Sequence, residues 1–170
     1  MKKNNSKEEM AMLPGSFNPM HIGHEHLIRI ASLDYKKVYV VVAINDGKRY
    51  DVSLSNRYEL VKKFVNHECF ENVTVLRLDP GKTIPALAKE LNVTNIVRGT
   101  QIQSIDMEES SLADNYLEDN ENLSFHYIKF SDLNLTSSMV REKLVHRDDI
   151  SDLVPPIIEE DIKRLWTKGI

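Results

Sequence analysis

Leu13-Pro14-Gly15-Ser16-Phe17-Asn18-Pro19-Met20-His21-Ile22-Gly23-His24 joins a short apolar run to the start of a helical pattern. It reads as strand, small-residue loop and helix start in immediate succession. Such a junction suits an anion. Gly15 permits close approach of backbone to ligand, Ser16 offers a hydroxyl, Gly23 loosens the helix entry, and the unpaired N–H groups of a first helical turn point outward. His21 and His24 bring two imidazoles to the same corner.

Working outward, residues 10–14 are apolar and stop at Pro14-Gly15, as a buried first strand should. After the loop, Leu27, Ile30 and Ala31 recur at helical spacing through Ser32. The run from Val38 to Ile44 is β-branched almost throughout, which predicts a strand covered on both faces. Asn45-Asp46-Gly47 turns the chain, and a serine of Ser53-Leu54-Ser55-Asn56-Arg57 can cap a helix carrying Leu60, Val61, Phe64 and Val65 to about His67. A third strand is expected over Val73–Leu78, a helix over Ile84–Leu91, and a fourth strand over Val93–Val97. Helical character is expected around Met107–Leu117, a fifth strand over Leu123–Phe130, a helix capped by Thr136-Ser137-Ser138 through Val145, and a last helix opened by Pro155-Pro156.

Strand and helix thus alternate five times with short connections. That order implies right-handed crossovers and a Rossmann-like, doubly wound α/β fold, a five-stranded parallel sheet in a single domain spanning 1–170. Residues 1–9 form a polar tail and 136–170 the C-terminal helices. The length and a hydrophobic content of 41% suit one real core, and no internal repeat divides it. A net charge of −4 excludes a global basic field for nucleic acid or membrane, so an anionic ligand must be held locally. Cys69, the single cysteine, has no partner for an intrachain disulfide and is expected to pack as a small apolar residue at a helix end. No apolar run approaches a membrane span and no signal core is present, from which a cytoplasmic protein is expected.

In parallel sheets ligands bind beyond the carboxyl ends of the strands, near the point where strand order reverses. The polar clusters fall there: Gly15–His24 after the first strand, Lys48 after the second, Arg98-Gly99 after the fourth, Thr136–Ser138 after the fifth. Phosphoryl or nucleotidyl transfer relies on positioned donors more than on nucleophiles. His24, Lys48 and the backbone N–H groups around Ser16 and Phe17 would supply them, with Arg98 and the Thr136 helix start holding further phosphates. Gly81-Lys82-Thr83 looks like the tail of a P-loop, but Leu76 stands where the upstream glycine is required.

The pattern Gly-Ser-Phe-x-Pro-x-His-x-Gly-His resembles the nucleotidyltransferase superfamily with its (T/H)xGH signature, here His21-Ile22-Gly23-His24. Within it the chain is most similar to the phosphopantetheine adenylyltransferases, through Lys48, Ser53-Leu54-x-x-Arg57, Val97-Arg98-Gly99, Ser137-Ser138-x-Val140, Glu142 and Asp149–Pro156. The resemblance implies in-line attack of the phosphate of 4′-phosphopantetheine on the α-phosphorus of ATP, giving dephospho-CoA and pyrophosphate without a covalent intermediate. By position, His24 would stabilise the pentacoordinate phosphorus, Lys48 would bridge acceptor and α-phosphate, and Ser16 would touch both substrates. Phe17, Arg98, Gly99, Glu109, Thr136, Ser137 and Ser138 would complete the ATP side, with Mg2+ on the phosphates. Ser16, Lys48, Lys82, Thr83 and Gln101 would face the acceptor. A hexamer of two trimers is also implied.

The chain departs from that family at Gln101, where a second arginine is usual, and at Gly81-Lys82-Thr83, where the acceptor loop is usually apolar. Its acidic-aromatic segment is blurred around Asp106-Met107-Glu108-Glu109. Nicotinate or nicotinamide mononucleotide adenylyltransferases share the two signature regions but usually carry Ile-Gly-Ala/Gly-Asp where this chain has Val97-Arg98-Gly99. A cytidylyltransferase for a phospho-alcohol and a non-catalytic nucleotide-binding module of the same fold are the other readings.

Overall fold

A computed structural model describes residues 8–100, 107–129 and 135–168. β1 (Glu8–Gly15) is followed by α1 (Ile22–Asp34), β2 (Tyr35–Val42), α2 (Leu54–His67), β3 (Val73–Arg77) and α3 (Ile84–Glu90). The second half runs β4 (Asn95–Thr100), α4 (Met107–Asp119), β5 (Ser124–Lys129), α5 (Ser137–His146) and α6 (Pro156–Trp166). The strands form one sheet in the order β3-β2-β1-β4-β5, and every pairing is parallel. The chain moves one way from β1 to β3 and then returns to the other side of β1 for β4. Strand order therefore reverses beside β1, at the carboxyl end of which the signature loop lies.

Period-two alternation divides the strands between two cores. Ala11 and Leu13 of β1, Val38, Val40 and Val42 of β2 and Val97 of β4 pack with Leu27, Leu60, Phe64, Val140 and Ile158 from α1, α2, α5 and α6. Met12, Val41 and Ile96 face the other way and pack with Ile84, Ala88 and Val93 around α3, with Tyr116 of α4 against them. The sheet is thus covered on both faces, as the continuous apolar runs predict. Each fully buried large side chain contributes about 1.5–3 kcal/mol relative to exposure.

Helix starts are set by side chains. Ser53 accepts from Asn56 N at 3.2 Å, Thr83 from Ala86 N at 3.3 Å, and Thr136 from Met139 N at 3.1 Å. Each occupies the N-cap position, where a hydroxyl satisfies a donor the helix leaves open.

All five strands differ in their ends from the sequence expectation: β1 takes in Glu8 and Glu9, assigned above to the polar tail, where Lys36 pairs with Glu9, and β2 and β4 shift most. β2 begins at Tyr35 rather than Val38, because α1 ends at Asp34 and the Asn72 amide donates to the Ser32 and Tyr35 carbonyls, at 2.9 and 2.8 Å. It stops at Val42, short of Ile44, which is exposed. β4 begins at Asn95, not Val93, because the Val93 N–H closes the end of α3 on the Ala88 carbonyl at 2.8 Å. It then runs on through Arg98↔Tyr127, Gly99↔Ile128 and Thr100↔Lys129, so Arg98 and Gly99 lie inside the strand and not in a loop beyond it. Cys69 is also corrected: it is exposed with φ 54°, just past the end of α2, and does not pack in the core.

Candidate active site

The loop after β1 is built around Phe17. Its backbone lies in the left-handed region at φ 47° and its ring is 1% exposed, packed beneath the loop. Gly15 is required by that ring, because a Cβ there would sit 2.9 Å from Phe17 Cε2. The Asn18-Pro19 peptide is cis. Phe17 is buried as a whole residue, and its side chain anchors the loop.

Distant parts of the chain hold that anchor. Ser137 Oγ donates to the Pro19 carbonyl at 2.8 Å, Arg141 Nη1 donates to the Asn18 carbonyl, and Trp166 Nε1 donates to Asn18 Oδ1 at 3.1 Å. Asn18 is 5% exposed, so its side-chain bond to Trp166 is shielded from water. Ile22 N donates to the Leu153 carbonyl at 2.9 Å, which ties the start of α1 to the segment before α6. Sequence inspection cannot find the Trp166 contact, because it spans 148 positions of the chain.

The two histidines cap α1 reciprocally. His21 is the N-cap, its Nδ1 accepting from Gly23 N at 3.1 Å, and His24 Nδ1 accepts from His21 N at 3.2 Å. This is a capping box made of imidazoles in place of the usual hydroxyl and carboxylate. The two rings are 3.9 Å apart between centroids, and His24 lies 4.7 Å from the Phe17 ring. Burial lowers the His21 pKa to about 4. Burial, then the charge of His21, then that of Arg98 hold His24 well below the ordinary imidazole range. Both rings are neutral at pH 7. A neutral imidazole whose Nδ1 accepts carries its one proton on Nε2. His24 is accordingly fixed in position and tautomer as an N–H donor at the mouth of a helix start.

Arg98, at the carboxyl end of β4 next to β1, donates from Nη1 to the Pro14 carbonyl at 3.0 Å and brings a permanent charge to the switch point. At the start of α5 the three hydroxyls are already engaged: Thr136 caps, Ser137 holds Pro19, and Ser138 Oγ accepts from Arg141 Nη2 at 2.9 Å. What that turn has left for a ligand is the N–H groups of Ser137 and Ser138, which have no intrahelical acceptor.

The acceptor-side candidates stand on exposed loops of the same rim. Lys48 is exposed in the turn after β2, where its N–H donates to the Asn45 carbonyl at 2.9 Å. Lys82 Nζ lies 3.4 Å from Glu90 of α3, and the Thr83 hydroxyl is occupied as the α3 cap. Gln101 lies outside the described residues, and so does the side chain of Glu109, whose backbone belongs to α4. The structure thus brings Ser16, Phe17, His24, Arg98, Gly99 and Thr136–Ser138 to one switch-point corner, with Lys48, Lys82 and Thr83 along the adjoining rim. Arg57, quoted above only as part of a sequence motif, lies directly behind this corner: its Nη1 donates to the Ser16 carbonyl.

The cytidylyltransferase-like family model matches residues 12–143. A phosphopantetheine adenylyltransferase of Finegoldia magna is 34% identical, over 90% of this chain and 93% of its own length. That of Pasteurella multocida is 35% identical over 89% and 95%, and that of Mycoplasma capricolum 34% identical over 79% and 95%. Among solved structures, a nicotinate-nucleotide adenylyltransferase structure from Vibrio parahaemolyticus superposes with a TM-score of 0.65 at 20% identity, covering 94% of this chain and 98% of that one. At such identity the likeness concerns the fold. The sequence relatives go further, and by them the chain belongs to the cytidylyltransferase-like family and, within it, to the phosphopantetheine adenylyltransferases.

Proposed function

We propose that the chain transfers the adenylyl group of ATP to the phosphate of 4′-phosphopantetheine, giving dephospho-CoA and pyrophosphate. The observation that carries this reading is the neutral, Nδ1-anchored His24 in a buried loop at the switch point, on a chain whose 34–35% identical relatives bear that activity's name.

An oxygen of the acceptor phosphate attacks the α-phosphorus in line with the bond to the β-phosphate. That bond breaks as the new one forms, and pyrophosphate leaves with the electron pair. Charge spreads over the equatorial oxygens in the transition state, and the chain's part is to meet it with fixed donors. His24 Nε2–H donates to the α-phosphate, Arg98 and the first-turn N–H groups of α5 hold the nucleotide's phosphates, and Lys48 draws the acceptor phosphate toward phosphorus. Ser16 touches both substrates, with Phe17 and Gly99 lining the ATP side and Glu109 completing it. Lys82 and Thr83 face the acceptor arm, a part that the family resemblance alone gives to Gln101.

Among the described residues no three histidine, cysteine or carboxylate groups converge to hold a metal. In this reading a Mg2+ ion would be held by the phosphates of ATP rather than by protein side chains, and would supply charge neutralisation there. We place the protein in the cytoplasm as a hexamer of two trimers; no helix among the described residues is long and apolar enough to cross a membrane.

The deciding experiment offers ATP or CTP with phosphopantetheine, nicotinate mononucleotide and glycerol 3-phosphate in parallel and follows pyrophosphate release. Turnover is expected with ATP and phosphopantetheine. Turnover confined to another acceptor would reassign the substrate. ATP binding with no turnover on any acceptor would make the protein a nucleotide-binding module.

A further inference from the structure

Arg57 of α2 has no part in the chemistry above, yet among the described residues it is the largest fully buried side chain, at 1% exposure. It sits on the face of α2 that otherwise buries Leu60, Val61, Phe64 and Val65. An apolar residue there would avoid the desolvation of a permanent cation. Its partners are not carboxylates. Nη1 donates to the carbonyls of Ser16 and, at 3.2 Å, Ala43; Nε donates to the Val52 carbonyl at 3.2 Å; the Tyr50 ring lies over the guanidinium at 4.2 Å. Nη2 is buried and has no hydrogen-bond partner among the described residues.

Those contacts have a definite layout. Ser16 belongs to the signature loop, whereas Ala43, Tyr50 and Val52 bracket the turn that carries Lys48. Inside that turn the bonds are local: Asn45 N to Tyr50 Oη at 2.9 Å, Gly47 N to Asn45 Oδ1 at 3.0 Å, Lys48 N to the Asn45 carbonyl at 2.9 Å. It is fastened to the signature loop by the Ala43 N bond to the Gly15 carbonyl, at 2.9 Å, and by Arg57 with its Tyr50 lid. The fork of the guanidinium reaches the Ser16 and Ala43 carbonyls from Nη1 and the Val52 carbonyl from Nε at once, a spread that the compact ammonium of a lysine does not match.

We infer that Arg57 is a positioning residue for the transfer: it sets the Lys48 turn against the signature loop so that Lys48 and His24 address the same phosphorus. The inference rests on the roles proposed above for those two residues. Displacing the turn by about 1 Å would cost on the order of 100-fold in turnover.

The test is a double-mutant cycle. Arg57→Lys keeps the charge but cannot span the carbonyls. Tyr50→Leu removes the lid from a half-buried site, which keeps the question open to test if Arg57 variants fold poorly. Each is expected to lower kcat by about 10- to 100-fold with the KM for ATP little changed. In a Lys48→Ala background, the same substitutions should lower kcat by no more than about threefold, since the lysine they position is gone. Equal factors in both backgrounds, or no loss in either, would overturn the inference and leave Arg57 a packing residue. A second readout needs no activity: trypsin cuts after Lys48 and Arg49, and either variant should speed that cleavage about tenfold by loosening the turn. Unchanged cleavage overturns the strut. If the wild type transfers no adenylyl group, the functional reading fails, and the cleavage rates still decide whether Arg57 holds the turn.

Discussion

Between Gly15 and His24 the chain is braced from four directions, while the rim that would receive the acceptor is exposed and, apart from the Arg57 and Ala43 ties at the base of the Lys48 turn, is held by local turns. Asn18 and Pro19 are gripped by Trp166, Arg141 and Ser137, Ser16 by Arg57, Ile22 by Leu153, and His21 and His24 by each other. Residues 44–49 and 79–83 are exposed, and Lys82 meets Glu90 in solvent at 3.4 Å. The contrast separates two tasks. Stabilising a transition state needs donors that do not reorganise, so they sit on buried backbone. Choosing an acceptor is done by surface side chains, which tolerate replacement.

The largest break in this comparison comes from the braced side. His24→Ala should lower kcat by about 10²- to 10³-fold while leaving most of the ATP affinity, because its donor matters most as charge develops on phosphorus. The capping bond it gives His21 N is lost too, at about 1 kcal/mol of stability. Steady-state kinetics beside a urea melt separates the two, and unchanged turnover removes His24 from the mechanism.

Next in size is a dependence on pH. The folded-state pKa of His21 lies near 4, below its ordinary 6.5, because the ring is buried. Between those values the unfolded chain binds the extra proton, so stability is full above about pH 6.5, is lost as pH falls toward 4, and is flat below for this group. The loss amounts to about 3 kcal/mol at most. His24 is shifted in the same direction and adds to the slope. The depressed carboxylates Glu68, Asp149 and Asp161 act lower, beneath their ordinary range near 4. Urea melts from pH 7.5 to 4 should show the slope, and His21→Asn, which keeps an N-cap acceptor, should flatten it. Equal slopes would mean that the cap, and not the buried titration, is what His21 supplies.

The same contrast explains what could be read from the chain without coordinates. Gly15, Ser16 and His24 were legible because a strand-loop-helix junction is a local object, and so were caps within Ser53–Ser55 and Thr136–Ser138, though not which hydroxyl makes each. The parallel sheet followed from alternation alone. The end of β4 was not legible: whether Arg98 lies in a strand or a loop depends on Tyr127, far along the chain. Arg57 looked like one residue of a motif, since its burial and its grip on Ser16 arise only when α2 packs behind the loop. Trp166 closed on Asn18 across the molecule with no periodicity to announce it.

That last contact gives a smaller, sharper test. Asn18→Ala leaves the Trp166 indole N–H buried without an acceptor, which should destabilise by about 1–3 kcal/mol. Because Trp166 is the only tryptophan, its fluorescence reports on the loop directly, and ATP should shift it in the wild type more than in the variant. Equal stability would show that the bond is not part of the bracing.

The smallest effect is expected on the exposed rim, at Lys82. Its side chain is 54% exposed and that of Glu90 61%, so solvent screens the pair, and Lys82→Ala should change stability by no more than about 0.5 kcal/mol. Its kinetic effect is selective. If Lys82 meets the acceptor, its removal raises the KM for phosphopantetheine by up to about tenfold, with kcat and the KM for ATP unchanged. Glu90→Gln supplies the opposite sign, because releasing the ammonium from its carboxylate leaves more of its charge for an anionic acceptor and should lower that KM. Opposed shifts from two residues of one ion pair would assign acceptor recognition to this edge of the sheet. No shift from either would move that recognition toward the Lys48 turn, and with it the boundary between the braced and the open halves of the site.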